Sequence, residues 1–502
     1  MISSMSNEPP GQDSLSRSTW MCLGLATLLW WGSVAYMRSE TRKLRHIPTV
    51  GIAWPIFSFI GTIKYLFDAK SIVDEGLRRW PGKMFKYSET VQWRVVVTDN
   101  RMVDEIIRAP DSVMSAQAAN DELVQMKFTL GQAITSHPYH MPLLRNDLRK
   151  ALEVITPDIY EEIHAAFEEL IPASEGWKLV NLNDKVMNII CRASNRVFVG
   201  APLCRDKEYV DLNVKFTIHV LTTGLILRLF PGFLRPIPKD VTIALRHLRP
   251  AFAARRKEVE EKGQHADNLN MVAWLMNHAK GKELEDENLT MRILATNFGA
   301  IHTSSLTFMH TFYYLAANPK FADVLREEVD EILRREGWTK KAMDEMVRVD
   351  SFVKESQRLS PLSNVSVQRV LLQDFTFYDG TTLPAGTCIG LCTHSAHFSD
   401  ANYIDPLTFD PLRFVKMKAE NPEKQFGIIS TSGEFLPFGL GRHACPGRYF
   451  AASELKLMLA YVVTHYDVKL EQGDGLRPKD LWLMGGCLPN QKAKVFFRKR
   501  RV

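Results

Sequence analysis

Residues 435–463 read FLPFGLGRHACPGRYFAASELKLMLAYVV, and this stretch decides the fold. Cys445 lies between a cationic, glycine-containing loop and a helix that we predict to begin at about Pro446, because proline is tolerated in a first helical turn. The positive end of that helix and its free backbone N–H groups stabilise a thiolate. This setting predicts that Cys445 is a metal-binding thiolate and not a structural cysteine.

The composition is that of an ordinary globular protein, since 45% of the 502 residues are hydrophobic and 24% are charged. The net charge of +6 is small for this length, which argues against a dedicated nucleic-acid-binding protein. The number of cysteines is odd and their spacings match neither a zinc knuckle nor a redox pair, so we predict mostly reduced thiols in a cytosol-facing protein. The seven cysteines are Cys22, Cys191, Cys204, Cys388, Cys392, Cys445 and Cys487.

The N-terminal region predicts a membrane anchor. Residues 19–38 form a mostly apolar run that is long enough to cross a hydrocarbon layer of roughly 30 Å. A polar leader, residues 1–18, precedes this run, and a basic, proline-containing linker, residues 39–57, follows it. The basic residues that follow the run place the bulk of the chain on the cytosolic side. A cleaved signal peptide ending near Ser33 and Ala35 is the competing interpretation, which the polar leader and the downstream basic cluster disfavour.

Helical patterns dominate the remainder of the chain, so we predict one large, mainly α domain with a small β subdomain over residues 58–502. Residues 93–100 alternate like a short strand, and residues 381–397 predict a turn that leads into strands. Apolar residues recur at helical spacings over residues 102–109, 141–172, 179–198, 240–262, 287–317, 320–336, 341–359 and 447–464.

Residues 221–239, LTTGLILRLFPGFLRPIPK, form a further apolar stretch, which two arginines and Pro231 interrupt. A core helix that ends at the proline explains this pattern. A loop that dips into the bilayer surface beside the anchor, with its arginines at the level of the headgroups, explains it equally well. The sequence leaves both interpretations open.

Five residues around Cys445 match the pattern F-x-x-G-x-[R/H]-x-C-x-G: Phe438, Gly441, His443, Cys445 and Gly447. In this pattern the chain resembles the cytochrome P-450 superfamily, the haem-thiolate monooxygenases. The resemblance implies the P-450 fold, haem b as the cofactor and Cys445 as the axial ligand of its iron, with Phe438 and Gly447 beside the cofactor. A thiolate ligand pushes electron density towards bound dioxygen and favours O–O cleavage.

The segment KESQRLSP, residues 354–361, is similar to a second motif of this superfamily. Glu355 and Arg358 are three positions apart and therefore lie on one face of a helix. In DPLTFDPLRF, residues 405–414, Arg413 takes the place of the arginine that completes the buried network of the family. The resemblance implies that these three residues form a structural triad beneath the haem, whereas an E-x-x-R motif alone is more often a surface ion pair.

Residues 291–310, MRILATNFGAIHTSSLTFMH, resemble the oxygen-binding helix of the family. The resemblance implies that Thr303 supplies the catalytic hydroxyl that relays protons. His302 stands where an acid is usual, and because histidine can pass protons near neutral pH, we predict a catalytic role for it as well. An ordinary histidine in a buried helix is the alternative. The Ala-Ile-His-Thr run is also similar to fungal members that oxidise terpenoids.

Haem propionates need cationic partners, and the resemblance implies several. His443 and Arg442 precede the cysteine, and Arg369 fits the arginine of the strand after E-x-x-R. Arg145, in YHMPLLRNDLRK, fits the arginine of a W-x-x-x-R helix motif, although a methionine replaces the tryptophan. The neighbouring His140 is predicted to make the tryptophan's hydrogen bond instead.

The reaction that the resemblance implies is monooxygenation, in which one atom of dioxygen enters the substrate. No G-x-G-x-x-G fingerprint of a nucleotide site is present, so electrons are expected from a separate, membrane-bound NADPH–cytochrome reductase. The expected location is the endoplasmic reticulum membrane, with a single pass and a cytosolic catalytic domain. Basic residues near the thiolate loop either dock that partner or are solvated surface charge: Lys416, Lys418, Arg442, Arg448 and Lys456.

The segments that line the substrate pocket by family position are largely apolar, so we predict a neutral lipophilic substrate. They are residues 112–126 and 221–230, Phe298, Ile301, and residues 363–366 and 484–488. A terpenoid intermediate of secondary metabolism is favoured, with an indole alkaloid or a polyketide as the alternative. A haem isomerase or dehydratase that needs no dioxygen is disfavoured because Thr303 is present, and nothing favours a non-catalytic haem sensor.

Overall fold

The computed structural model describes residues 41–53, 59–90, 92–229, 238–263, 269–473 and 475–500, with seven single positions between 20 and 32. The predicted anchor, residues 19–38, lies outside the described residues except for those seven positions. Within the described part, the chain is mainly helical with several small sheets, as predicted.

Helices form where apolar residues recur at spacings of three and four, and strands where they alternate. The helices are α1 Phe59–Arg79, α2 Asn100–Arg108, α3 Ala116–Val124, α4 Met126–Thr129, α5 Gln132–Ser136, α6 His140–Leu170, α7 Asn183–Phe198, α8 Lys207–Leu229, α9 Pro238–Lys262, α10 Met271–His278, α11 Asp286–Ala317, α12 Lys320–Glu336, α13 Lys340–Glu345, α14 Val347–Leu359, α15 Thr393–His397, α16 Arg413–Glu420 and α17 Arg448–His465. The strands are β1 Thr49–Val50, β2 Phe85–Glu89, β3 Gln92–Val97, β4 Met114–Ser115, β5 Lys178–Asn181, β6 Val365–Leu371, β7 Phe375–Thr376, β8 Thr382–Leu383, β9 Cys388–Cys392, β10 Tyr466–Leu470, β11 Leu481–Leu483, β12 Gly486–Leu488 and β13 Lys494–Lys499.

The largest sheet has six strands in the order β1-β2-β3-β9-β6-β4. Its centre is the parallel pair of β3 and β9, in which Val95 lies opposite Ile389. A second sheet has the order β10-β13-β5 and joins the C-terminal region to the segment before α7. The six-stranded sheet has its own hydrophobic core, which includes both Val95 and Ile389.

The larger hydrophobic core lies among the helices, and α11 runs through it. Apolar residues such as Leu289, Ile293, Phe308 and Tyr313 lie around this helix and are fully buried. A helix that is apolar on nearly all sides has to be enclosed by others. Here α7, α8, α9, α14 and α17 surround it.

Two predicted helices differ from the structure. The helix predicted over 179–198 begins only at Asn183, because Lys178–Asn181 pair with β13 and place Val180 opposite Val495. The helix predicted over 341–359 is interrupted at Met346. The reason is a carboxylate from α12, since Glu328 accepts hydrogen bonds from the N–H groups of Arg348 and Val349 and thereby caps a new helix start.

The apolar stretch over residues 221–239 is helical as far as α8 extends, to Leu229, and residues 230–237 lie outside the described part of the chain. Within the described residues, Lys207–Arg228 is the one helical segment long and apolar enough to cross a membrane. This segment packs against α3, α7 and α11, so a core helix passes the same test. The two interpretations of residues 221–239 therefore both remain.

Candidate functional site

A cavity of about 300 Å³ lies between the middle of α11 and the loop that precedes α17. Cys445 and Phe438 of the cysteine loop line this cavity, and so do Gly299, Ala300 and Thr303 of α11. The other lining residues are His140, Met141, Leu144, Leu148, Phe198, Ala295, Thr296, Ser304, Thr307, Gln357, Ser360, Leu362, Pro437, Pro446, Gly447, Phe450, Ala451 and Leu455. The described lining is mostly apolar and contains no lysine, arginine or carboxylate.

The loop folds back on itself to hold Cys445. The cysteine N–H donates a 2.7 Å hydrogen bond to the Phe438 carbonyl, and α17 begins at Arg448, two residues later than predicted. Burial raises the pKa of the Cys445 thiol, although the backbone N–H groups of Gly447 and Arg448 act in the opposite direction. The N–H groups therefore face the sulfur as predicted, but they do not outweigh desolvation. A bound metal ion deprotonates a thiol ligand directly.

Glycines leave room on both walls of the cavity. A Cβ atom built on Gly299 or on Gly447 would meet no other heavy atom within 4 Å. Gly441 is required for a different reason, because its φ is +66° and a Cβ there would lie 2.7 Å from Cγ2 of Ile107. A flat ligand can therefore approach the backbone of α11 and of the cysteine loop.

The predicted propionate partners cluster beside the cavity and do not line it, apart from His140. Asp111 accepts hydrogen bonds from Arg442, at 2.9 Å, and from His443, at 2.6 Å. Arg145 donates a hydrogen bond to the Arg442 carbonyl at 3.3 Å. Burial and the nearby charge of Arg442 both lower the pKa of Arg369. One carboxylate thus faces several cations among the described residues.

These features fit the haem that the resemblance implies. The cavity offers a thiol, apolar walls and open backbone on two sides, and an excess of positive charge lies at its edge. An iron-containing, planar, dianionic group requires those same features.

The structure brings the predicted triad together. Arg358 donates two 2.8 Å hydrogen bonds to the carboxylate of Glu355, and Nε of Arg413 donates a third at 2.9 Å. Glu355 and Arg358 are completely buried, and Arg358 also donates to the carbonyls of His397 and Pro406. None of the three lines the cavity. They tie α14 to the loop before α16 and to the start of α16.

Of the two predicted catalytic residues, the structure brings only Thr303 to the cavity. Its hydroxyl donates a 2.8 Å hydrogen bond to the Gly299 carbonyl and its side chain faces the open space. The side chain of His302 points away instead, and its Nε2 donates a 2.8 Å hydrogen bond to the Val214 carbonyl on α8. Adjacent residues on a helix are rotated by about 100°, so both cannot face the same side.

Two functional candidates were missed by the sequence reasoning. Arg292, on α11, is completely buried and donates to Nδ1 of His140 at 3.2 Å. Glu454, on α17, is completely buried and accepts a 2.8 Å hydrogen bond from the hydroxyl of Ser194. A charged residue in an otherwise apolar helix was the available signal, because such a residue needs a buried partner.

A second cluster of possible metal ligands lies away from the cavity. His310, Asp480 and Cys487 place one ligand atom each within 4.8 Å of one another. Arg477 lies among them, donates to both oxygens of Asp480 at 2.7 and 2.8 Å, and contacts Nδ1 of His310. Arg477 therefore joins His310 and Asp480 in an ion-pair network, in which Nδ1 of His310 and both oxygens of Asp480 already accept hydrogen bonds.

The cavity is not the predicted substrate pocket. None of the described residues of the segments predicted to line that pocket, Phe298 and Ile301 included, lies in its wall. Ile301 is instead fully buried in a small core with Cys191 and Val210. The wall of the cavity comes from α6, α11, α17 and the cysteine loop.

Comparisons with known proteins match the chain to one family over nearly its whole length. The family model of cytochrome P450 matches residues 61–497. Cytochrome P450 monooxygenase 151 of Postia placenta is 40% identical over 484 residues, which cover 94% of this chain and 97% of that protein. A cytochrome P450 monooxygenase of Penicillium roqueforti is 30% identical over 501 residues, covering 95% and 90%. Another, of Ganoderma lucidum, is 28% identical over 502 residues, covering 97% of each.

Proposed function

This chain belongs to the cytochrome P450 family of monooxygenases, and on that premise we propose that it oxidises a lipophilic intermediate of secondary metabolism, with a terpenoid as the favoured class. The observation that carries this proposal is the cavity itself. It brings a cysteine thiol and a helix hydroxyl into one cavity whose walls hold no charged side chain among the described residues. These walls suit the proposed haem, whereas the lipophilic substrate class is supported by the largely apolar segments that were predicted to line a separate substrate pocket.

The proposed cofactor is haem b, whose iron the thiolate of Cys445 would bind. When bound, haem supplies the redox chemistry that splits dioxygen. Phe438 and Gly447 line the cavity beside Cys445 and would contact the cofactor there. Its carboxylates are assigned to the cluster described above and to the edge of the cavity: Arg145, Arg369, Arg442, His443 and His140.

Proton handling is assigned to Thr303. Its O–H donates to the Gly299 carbonyl at the cavity wall, so rotation about the Cβ–Oγ1 bond would turn the proton towards a ligand, and a proton from water would replace the one passed on. The role predicted for His302 is revised on geometric grounds. Because its Nε2–H is engaged by Val214 on α8, we assign it to holding α8 against α11.

The site includes no nucleotide-binding fingerprint, so electrons are proposed to come from NADPH through a separate membrane-bound reductase. The family implies a redox partner and the use of dioxygen. For the location we propose the endoplasmic reticulum membrane. Residues 19–38 act as the anchor, residues 1–18 as a leader and residues 39–57 as a linker, and residues 58–502 form the cytosolic catalytic domain.

A spin-state titration of the haem-loaded, membrane-bound protein tests the substrate class. Terpenes, indole alkaloids and polyketides are added in turn, and the low-spin to high-spin change of the iron is recorded. A response confined to terpenes supports the proposal. A response only to another scaffold contradicts the terpenoid assignment but leaves the monooxygenase assignment unchanged.

Turnover with reductase, NADPH and ¹⁸O₂ then tests the reaction. A product that carries the label is expected. An unlabelled product that is isomeric with the substrate, or dehydrated, indicates an isomerase or dehydratase instead. The Cys445→Ser variant is the matched control, since it keeps the size of the side chain and removes the thiolate ligand.

A further inference from the structure

His140 is the one lining residue of the cavity, within the described part of the chain, that has an ionisable imidazole. It is the first residue of α6 and only 5% of its surface is exposed. Its two ring nitrogens have different surroundings. Nδ1 lies 3.2 Å from Nη1 of Arg292, and among the described residues no protein group hydrogen-bonds Nε2.

Arg292 is held in place from several directions. Its guanidinium carbon lies 3.9 Å from the centre of the Tyr139 ring, and Nη2 donates to the Ala133 carbonyl at 3.4 Å. Nη2 is also 3.5 Å from a carboxylate oxygen of Glu283. The side chain is therefore fixed between α5, α6 and the segment before α11, with its charge partly balanced.

The chemistry of the contact decides which tautomer His140 adopts. A guanidinium has only N–H donors and no acceptor, so Nδ1 of His140 must accept the hydrogen bond through its lone pair. The ring proton is then on Nε2. Burial and the charge of Arg292 lower the pKa of His140 to about 4, so the imidazole is neutral at physiological pH.

We infer that Arg292 is a positioning residue that fixes His140 as the Nε2–H tautomer, so that the histidine presents a neutral N–H donor to a carboxylate of the bound haem. The inference deepens the proposed function, since it rests on haem as the cofactor of this cavity. Without Arg292, both tautomers become available, and the one with the proton on Nδ1 turns a lone pair towards the anion.

The contact of Arg292 with Glu283 extends this arrangement to the surface. Glu283 also accepts a hydrogen bond from His137, which is exposed, and a 3.0 Å hydrogen bond from the N–H of Lys280. Four side chains therefore link the surface to the cavity: His137, Glu283, Arg292 and His140. The carboxylate of Glu283 partly balances the charge of the buried guanidinium.

The test is a double-mutant cycle on haem retention, measured as the rate of haem transfer from the full-length holoprotein to apomyoglobin. Arg292→Met removes the donor to Nδ1, and we expect transfer to become about 3- to 10-fold faster, the worth of one hydrogen bond. His140→Gln places an amide N–H donor at the position of Nε2. Because an amide has no tautomers of the imidazole kind, this donor does not depend on Arg292. In that background, Arg292→Met is expected to have no further effect.

If Arg292 has only a structural role, the result is different. Arg292→Met then accelerates haem transfer by the same factor whether residue 140 is histidine or glutamine. That outcome overturns the inference, as does an unchanged rate in the Arg292→Met single variant. Arg292→Lys keeps a cationic donor, and its recovery of the slow rate is the expected rescue. Haem transfer needs neither substrate nor reductase, so a failure of the proposed substrate or reaction leaves this test intact.

Discussion

The carboxyl group of Glu454 is completely buried, and the fold changes its ionisation. Its neighbours are the hydroxyl of Ser194 and Ser304, and burial raises its pKa to about 7 against hydrogen bonds that lower it. No cation is among the groups that shift it. A carboxyl group in such a place is protonated well above its usual range.

This shift predicts a pH dependence of stability. The folded state holds the proton more tightly than the unfolded state, so the stabilisation is fully present below pH 4.5 and is lost as the pH rises through about 7. Relative to Glu454→Gln, the wild type is expected to lose up to about 3 kcal/mol of unfolding free energy between pH 4.5 and 8. Urea unfolding of both proteins across this range measures the difference, and a constant difference contradicts the assignment.

The hydroxyl of Thr303 gives a second prediction at this scale. Thr303→Val keeps the shape of the side chain and removes the hydroxyl that lines the cavity. We expect product formation to fall by about 100-fold, the lower end of what a positioned proton donor contributes. Thr303→Ser is the control and should retain most of the activity. Equal rates for the valine and serine variants would rule out a role for the hydroxyl.

At the scale of single elements, two helical glycines have opposite surroundings. A Cβ on Gly224 of α8 would lie 2.8 Å from the Val124 carbonyl oxygen of α3, whereas Gly299 of α11 faces open space. Backbone atoms cannot move aside as a flexible side chain does, so Gly224→Ala is expected to overpack this contact, at a cost of about 1–3 kcal/mol. In the haem-free protein, Gly299→Ala should instead stabilise its helix by about 1 kcal/mol, because the added Cβ meets no heavy atom within 4 Å.

Thermal unfolding of the two alanine variants beside the wild type checks this pair. The expected order of midpoints is Gly299→Ala, wild type, Gly224→Ala. If both variants unfold at the same temperature, then α3 and α8 are not in close contact.

The triad joins α14 to α16. We expect a large loss of unfolding free energy when its carboxylate is neutralised. Glu355→Gln leaves Arg358 and Arg413 without their shared counter-ion in a buried place. The expected cost is about 3–5 kcal/mol of unfolding free energy. The matched control is Glu261→Gln, which removes one partner of the exposed pair with Lys257 and should cost less than about 0.5 kcal/mol. Similar losses for both variants would show that the triad is no stronger than a surface pair.

For the whole molecule, the proposed anchor predicts where the protein is found. Deletion of residues 1–38 should release the protein from the membrane fraction, because the apolar run over 19–38 is removed while the region matched by the family model, residues 61–497, stays intact. Carbonate extraction followed by measurement of haem content in both fractions checks this. Retention in the membrane after deletion would show that another surface holds it there.

Much of the site followed from local patterns. The cysteine loop and the helix after it could be predicted because glycine and proline act over a few residues, whereas Thr303 was identified from the resemblance of residues 291–310 to the oxygen-binding helix of the family. The direction of His302 could not, since only the packing of α8 on α11 determines which side of the helix meets a carbonyl group. The partner of His140 was missed for a related reason, because Arg292 is 152 residues away in the chain.

The sequence by itself determined a mainly helical chain, the thiol of Cys445 at a helix start, and the family to which both belong. The tertiary structure alone decided where helices begin and end when a distant group intervenes, as Glu328 does at α14 and β13 does at β5. It also decided which charges are buried together, as in the triad and the pair of Arg292 with His140. The physical reason is that propensity and spacing depend on neighbours in the chain, whereas capping, strand pairing and desolvation depend on neighbours in space.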